Sequence, residues 1–153
     1  MYINDSRHIN EFKITTFSGY KKTDVLIILF KCINSKKIEE SCNWLIECIL
    51  SGYIIELWEK LCIYGSNIIH INNTSLPNFI YKKNIVFWNI CNSYNYKKNK
   101  NELLVLRNDN TIKNLFISLL ITLILSSKTK IYKIPIIKKE DFDFDIIQKK
   151  LKA

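Results

Sequence analysis

The sequence predicts an all-α fold: a single-domain bundle of about five antiparallel helices plus a short C-terminal helix. Three observations carry that prediction. Apolar residues recur at intervals of three and four along five stretches, the spacing of a helix face. Three Gly and two Pro in 153 residues leave too little turn chemistry for a sandwich or barrel with a turn every ten residues or so. Apolar residues make up 48% and charged residues 24%, the balance of a chain that buries a core.

Taken in order, residues 1–20 are mixed and aperiodic and read as a mobile N-terminal segment ahead of the helical domain, 21–153. Thr23 is the expected N-cap of the first helix, whose stripe is Val25, Leu26, Ile28, Leu29, Cys32 and Ile33, with Asn34-Ser35 as its break. The second helix is expected from Ser35, with Glu39 near its positive end and Ile38, Cys42, Leu45, Cys48 and Ile49 as its apolar face, Trp44 at the margin. Gly52 stands where a left-handed C-terminal cap belongs. A third helix over 54–69 turns Leu57, Trp58, Leu61 and Cys62 inward, and Glu56 and Lys60 form an i, i+4 pair on its wet side. The links between these three are so short that they must pack as antiparallel neighbours.

Pro77 falls in the first turn of a fourth helix, where its missing N–H costs nothing. That helix carries Phe79, Ile80, Ile85, Val86, Phe87, Trp88, Ile90 and Cys91 and fades into a Lys/Asn/Tyr-rich loop, 92–101. Asn108, Asp109 or Asn110 caps the fifth helix, whose Ile112, Leu115, Phe116, Leu119, Leu120, Leu123 and Ile124 give the cleanest helical period in the chain. Ile117, Ile121 and Leu125 add apolar surface on its other sides, which makes it the central helix. Its apolar run, 115–125, falls well short of the about 20 residues a bilayer needs. Residues 131–137 are β-leaning, but Pro135 demotes them to an edge or extended piece. A short helix closes 140–152, acids (Asp141, Asp143, Asp145) before bases (Lys149, Lys150, Lys152), the order that suits the macrodipole.

Lys, Asn and Ile supply 66 of the 153 positions, Lys outnumbers Arg 21 to 2, and Ala occurs once. Those favoured residues share A/T-rich codons, so the net charge of +9 is weak testimony for a selected anionic partner. The odd number of cysteines (Cys32, Cys42, Cys48, Cys62, Cys91) lacks the close pair of a structural zinc site. Residues 1–12 lack the basic-then-apolar pattern of a secretory leader. The expectation is an intracellular protein with reduced thiols, no metal, no cofactor and no membrane association.

Three scattered glycines exclude a phosphate-cradling loop. His70 with Cys62 is the one Cys–His combination to weigh, and it needs a stabilised thiolate; a helix-end imidazole bonding the last carbonyls is the plainer reading of His70. Glu39, Glu40 and Glu47 read as a solvated face of the second helix. Charge is more informative: residues 1–81 hold eight basic and eight acidic side chains, residues 82–153 fifteen and six. Lys82, Lys83, Lys97, Lys98 and Lys100, interleaved with Tyr81, Tyr94 and Tyr96, and joined by Arg107, are the candidate nucleic-acid contacts, since phosphate binding followed by base stacking uses such a mix. A solvated loop made by codon bias is the competing reading.

Several stretches carry a resemblance: Phe17-Ser18-Gly19-Tyr20, Cys42-x-Trp44-x-x-Glu47, Ser51-Gly52, Leu57-Trp58-Glu59, Ile69-His70-Ile71, Leu76-Pro77, Leu106-Arg107-Asn108 and Lys138 to Asp143. In this order they resemble an uncharacterised protein family of large nucleocytoplasmic DNA viruses, mimivirus-like and phycodnavirus-like. The resemblance singles out Trp44, Glu47, Gly52, Trp58, Glu59, His70, Arg107 and Asn108 as motif residues without assigning them a role. It places the protein in the host cytoplasm, a virus factory or the virion. Two departures are visible: Asn72-Asn73-Thr74 replaces the family's Gly-Asn-Pro turn, and family members continue past Leu151-Lys152-Ala153, which implies a shortened member. The second and third helices are also similar, at fold level only, to the helical collar of clamp-loader-type ATPases. The expected function is a non-enzymatic interaction module of a giant-virus-like genome, near nucleic acid or a replication or transcription assembly. The alternative is a virion structural or packaging component, suggested by an aromatic excess (Trp44, Trp58, Trp88, Tyr53, Tyr64) beyond what one core easily hides.

Overall fold

The computed structural model describes residues 2–67 and 75–126. The expectations for His70, for the extended piece 131–137 and for the helix 140–152 lie outside them. Among the described residues the fold is all-α: α1 (Lys22–Asn34), α2 (Ile38–Leu50), α3 (Ile54–Asn67), α4 (Ser75–Ser93), α5 (Glu102–Leu106) and α6 (Asn110–Leu125), preceded by a 3-10 turn at Ile9–Phe12. The only β-like feature described is one isolated bridge between Thr15 and Lys21.

α6 packs against α1, α2, α3 and α4 and is the central helix. The seven stripe residues expected of it, Ile112 to Ile124, are the seven it buries. Asp109 is its N-cap, accepting the amide N–H groups of Thr111 (2.8 Å) and Ile112 (3.2 Å). Around α6 the core is aromatic on one side: Trp58 of α3 stacks on Phe87 of α4 at 4.4 Å, and Phe116 meets both edge-on. Burying an indole requires an acceptor for its N–H. Asn84 supplies it, 3.0 Å from Trp58 Nε1, which is why a polar residue sits on the inner side of α4. Ile85 and Val86, also carried by this helix, are 44% and 41% exposed on its outer side.

Both reversals among the first three helices end in the same hydrogen-bonding motif. After α2, Tyr53 N–H bonds the Cys48 carbonyl and Gly52 N–H the Ile49 carbonyl, with Gly52 at φ +79° as its position predicts. After α1, Lys37 N–H bonds the Cys32 carbonyl and Lys36 N–H the Ile33 carbonyl, and here Lys36 takes the left-handed conformation, φ +57°. That Lys36 turn displaces the start of α2 from the expected Ser35 to Ile38. The N-cap of α1 is Lys21, not Thr23; its carbonyl accepts the N–H groups of Asp24 and Val25. Glu56 pairs with Lys22 across α1 and α3 (2.5 Å) rather than with Lys60 along its own helix. α5, five residues long, is too short for periodicity to reveal.

Residues 2–20, the described part of the N-terminal segment 1–20, lie as a strap across the bundle. Phe12 is 1% exposed in the core. Tyr53 Oη donates to the Phe12 carbonyl at 2.6 Å, with the Thr15 carbonyl 3.0 Å away. Asn108 pairs with the backbone of Ile3 in both directions (2.7 and 2.9 Å), and Asn101 accepts the Ile9 N–H.

Candidate functional site

Of the described motif residues, Trp44, Glu47 and Gly52 lie where the strap meets α2 and the turn after it. Residues 16–19 form a tight turn (Gly19 N–H to the Thr16 carbonyl, 3.0 Å) that carries Phe17 and Ser18 to the side of α2. There Glu47, 9% exposed, accepts the Ser18 N–H (2.6 Å) and the Ser18 hydroxyl (2.9 Å), one on each carboxylate oxygen. Glu47 therefore leaves the solvated face assigned to it with Glu39 and Glu40, which are exposed. Ser51 Oγ accepts the Phe17 N–H and donates to the Glu47 carbonyl. Trp44 meets Tyr20 edge-on at 5.4 Å. A Cβ at Gly52 would lie 2.7 Å from Ile9 Cδ1 and 2.9 Å from Leu104 Cδ2, so the ends of both side chains would have to shift to admit it. Trp58 is the core ring described above, and Asn108 clips the strap. Glu59 alone of the described motif residues is exposed, at the edge of a hollow that Lys13, Lys22 and Glu56 also border. Apart from Glu59, these residues hold the fold together.

The basic candidates do not assemble into one face. Arg107 is 2% exposed, and its Nη1 donates to the Leu50 carbonyl, an otherwise orphaned group at the end of α2. It caps a helix from the inside and is withdrawn from any phosphate. Lys82 is exposed on α4, and Lys83 is partly covered with its Nζ 5.6 Å from the Phe79 ring centre. Both stand about 16 Å along the helix axis from Ser93, at 1.5 Å per residue. Lys97, Lys98 and Lys100 are exposed on the following loop. That loop is fastened at the other end of α4, where Tyr94 Oη donates to Asp109 Oδ2 at 3.0 Å. Tyr94 and Tyr96 pack against the core, so Tyr81, 65% exposed, is the one interleaved tyrosine presented to solvent.

All five cysteines carry unpaired thiols. Burial, the largest cause in each case, pushes the Cys62 thiol up to about 11 and those of Cys48 and Cys91 up to about 12. This is the opposite of what a nucleophilic thiolate needs. Among the described residues, no three His, Cys, Asp or Glu side chains gather where a metal could sit, and no helix is long and apolar enough to cross a membrane.

The aromatic excess is absorbed by packing. Trp58 and Tyr53 are buried, and Trp44, Trp88 and Tyr64 are half-buried against the core. Among the described residues the exposed apolar side chains are mostly aliphatic, with Tyr2, Tyr20 and Tyr81 beside them, and part of that surface borders a cleft between α2, α6 and the start of the strap. Ile46 (48% exposed) and Ile117 (40% exposed) flank an opening of about 200 Å³ that Arg107 and Lys113 also line. The sequence reading missed this cleft. Its signal was present in Ile46 and Ile117, two isoleucines lying off the stripes of their helices.

Fold and surface together define the class: among the described residues, an all-α bundle with polar motif residues built into its junctions and with exposed Ile46 and Ile117 beside one cleft. Compared with protein-family models, with curated proteins and with solved structures, the chain matches none of them.

Proposed function

We propose that this chain is a non-enzymatic helical interaction module that engages a protein partner through its aliphatic surface, in the setting of a giant-virus-like genome. The observation that carries the reading is the α2–α6 cleft, where exposed Ile46 and Ile117 flank an opening that Ile3, Ile49 and Leu50 also line. Exposed aliphatic groups gathered around a concavity are the ordinary signature of a protein-binding surface. The motif residues of the viral resemblance supply the rigid junctions on which such a surface depends, and a raised Cys62 thiol weighs against the Cys–His enzyme reading.

A second reading, contact with nucleic acid, rests on Lys82, Lys97, Lys98 and Lys100, which are exposed. It is weakened by the burial of Arg107 and the packing of Tyr94 and Tyr96 against the core, since stacking platforms and a planar guanidinium are what turn a basic surface into a reader of strands. Virion packaging is the alternative role for a protein-binding module.

Photocrosslinking separates these readings. A photoreactive residue at position 46 is expected to capture protein in cells that contain the partner, and one at position 98 to capture no nucleic acid. Crosslinks to nucleic acid at 98, with none to protein at 46, would overturn the proposal in favour of the second reading. Mass spectrometry of purified particles then decides between a packaged and an unpackaged module.

A further inference from the structure

We infer that the outward face of α1 is a homodimer interface, on which a second copy of this chain packs antiparallel about a twofold axis between Ile27 and Ile28. The residues that α1 buries, Val25, Leu26, Leu29, Cys32 and Ile33, turn one side of the helix to the bundle. On the opposite side Asp24, Ile27, Ile28 and Lys31 are all exposed, the two isoleucines 55% and 38% so. Ile28 thus leaves the apolar stripe assigned to it and joins the outer face. Asp24 and Lys31, seven positions apart, stand two turns apart on nearly one line, about 10 Å along the axis. Ile27 lies to one side of that line and Ile28 to the other.

Charge complementarity names the occupant. Positions 24 and 31 are equally far from the point between 27 and 28, and they carry opposite charges. A twofold axis through that point sets Asp24 of each copy against Lys31 of the other, with the four isoleucines meeting between the two ion pairs. One turn further out Lys21 falls opposite Asn34, both exposed, so no like charges meet there. Among the described residues no ion pair engages Asp24 or Lys31, which leaves both available. Asp24 in the first turn and Lys31 in the last also suit the helix dipole. The dipole, however, gives no reason for two isoleucines to stand in water between them. An unrelated partner has to supply a lysine and a carboxylate at matching spacing around an apolar centre, whereas a second copy supplies both by symmetry. One helix face is a small contact, at the weak end of protein interfaces, so the dimer forms at high concentration. None of these residues lines the α2–α6 cleft, and the inference therefore stands or falls apart from the cleft reading.

The test is sedimentation velocity of the full chain from about 10 μM to about 1 mM, a range that covers weak association. Reducing conditions keep the free thiols from crosslinking the copies. The parent is expected to pass from monomer to dimer over that range, and the Ile27 and Ile28 δ-methyl signals to shift with it. Asp24→Lys and Lys31→Asp each make both symmetric charge contacts repulsive, and each is expected to weaken self-association about tenfold or more. An equimolar mixture of the two variants is expected to associate again as a heterodimer, because one copy then carries two lysines and the other two aspartates. Recovery in the mixture separates a lost contact from a damaged fold. A parent that stays monomeric throughout, variants that dimerise as well as the parent, or a mixture that associates no better than either variant alone would each overturn the inference. So would loss of the dimer in Ile46→Glu with both charge variants unaffected, since the copies would then meet at the α2–α6 cleft.

Discussion

The two helix reversals, α1 to α2 and α2 to α3, close the same pair of backbone hydrogen bonds with a residue in the left-handed conformation, yet one uses Lys36 and the other Gly52. The difference lies in what covers them. Lys36 is exposed, so its side chain has somewhere to go and the turn carries only the local strain of a non-glycine residue at φ +57°. Gly52 lies beneath the strap with Ile9 and Leu104 where a Cβ would be. In a chain with three glycines, the reversal under tertiary cover has one and the open reversal does without. Conformational strain is tolerated here where only strain is at stake, and avoided where strain and overlap would add.

The sharpest way to break this comparison is Gly52→Ala. It adds left-handed strain, roughly 1–2 kcal/mol, to an overlap that must push Ile9 and Leu104 aside, so a loss of about 2–4 kcal/mol in urea unfolding is expected. A loss under about 1 kcal/mol would mean that the strap shifts freely and does not constrain the site. Next in size is the tie that holds the strap turn against α2. Glu47→Gln keeps the shape but leaves one acceptor oxygen, so the bond from the Ser18 N–H becomes neutral and the bond with the Ser18 hydroxyl must reverse, for an expected loss of about 1–2 kcal/mol. Ser18→Gly in the Glu47→Gln background should then cost much less than in the parent, a coupling that a double-mutant cycle reads directly.

The same contrast explains what sequence reasoning could and could not find. The stripe of α6, Pro77 in the first turn of α4, the α6 cap at Asp109 and the Gly52 cap were legible, because each is a local pattern repeated at helical spacing or placed at a helix end. The Lys36 turn was not, since nothing in a lysine announces a positive φ. The strap was hidden for a different reason. Its ties join Ile3 to Asn108 and Ser18 to Glu47, positions far apart in the chain and made of single polar residues without periodicity. Arg107 is the instructive error: counted by charge it belonged to a basic surface, and only the three-dimensional course of α2 shows that its partner is a helix-end carbonyl. The cleft, likewise, needs α2 and α6 side by side before Ile46 and Ile117 mean anything.

From the exposed side of the comparison, Lys36→Gly is expected to stabilise. It relieves about 1–2 kcal/mol of left-handed strain and gives back about 0.5–1 kcal/mol through the greater freedom of Gly in the unfolded chain, a net gain of roughly 0.5–1 kcal/mol. A loss on this substitution would show that the Lys36 side chain makes a contact worth more than its strain, and the two reversals would no longer differ in kind.

The smallest effect concerns the strap's own clip. Hydrogen bonds from the Arg7 side chain, with help from the Arg7 backbone N–H, hold the Asp5 carboxyl down to about 2 from 3.8. Arg7 is itself seated between the Phe12 and Phe17 rings, 4.9 and 4.5 Å from their centres, and donates to the Phe17 carbonyl at 3.0 Å. A carboxyl whose folded pKa lies below its unfolded value contributes stability above pH 3.8 and loses it as pH falls through 2. Because Asp5 lies at the surface with its side chain partly exposed, that contribution is screened and small, so the signal to follow is the carboxyl itself. Its 13C shift is expected to titrate with a midpoint near 2 in the parent and to return toward 3.8 in Arg7→Met. The Ile9 methyl, set against Gly52, then reports whether protonating Asp5 loosens the strap. Movement of that methyl over the same pH interval would tie the clip to the cover over Gly52, whereas a silent methyl would assign the strap's hold there to Glu47, Ser51 and Tyr53.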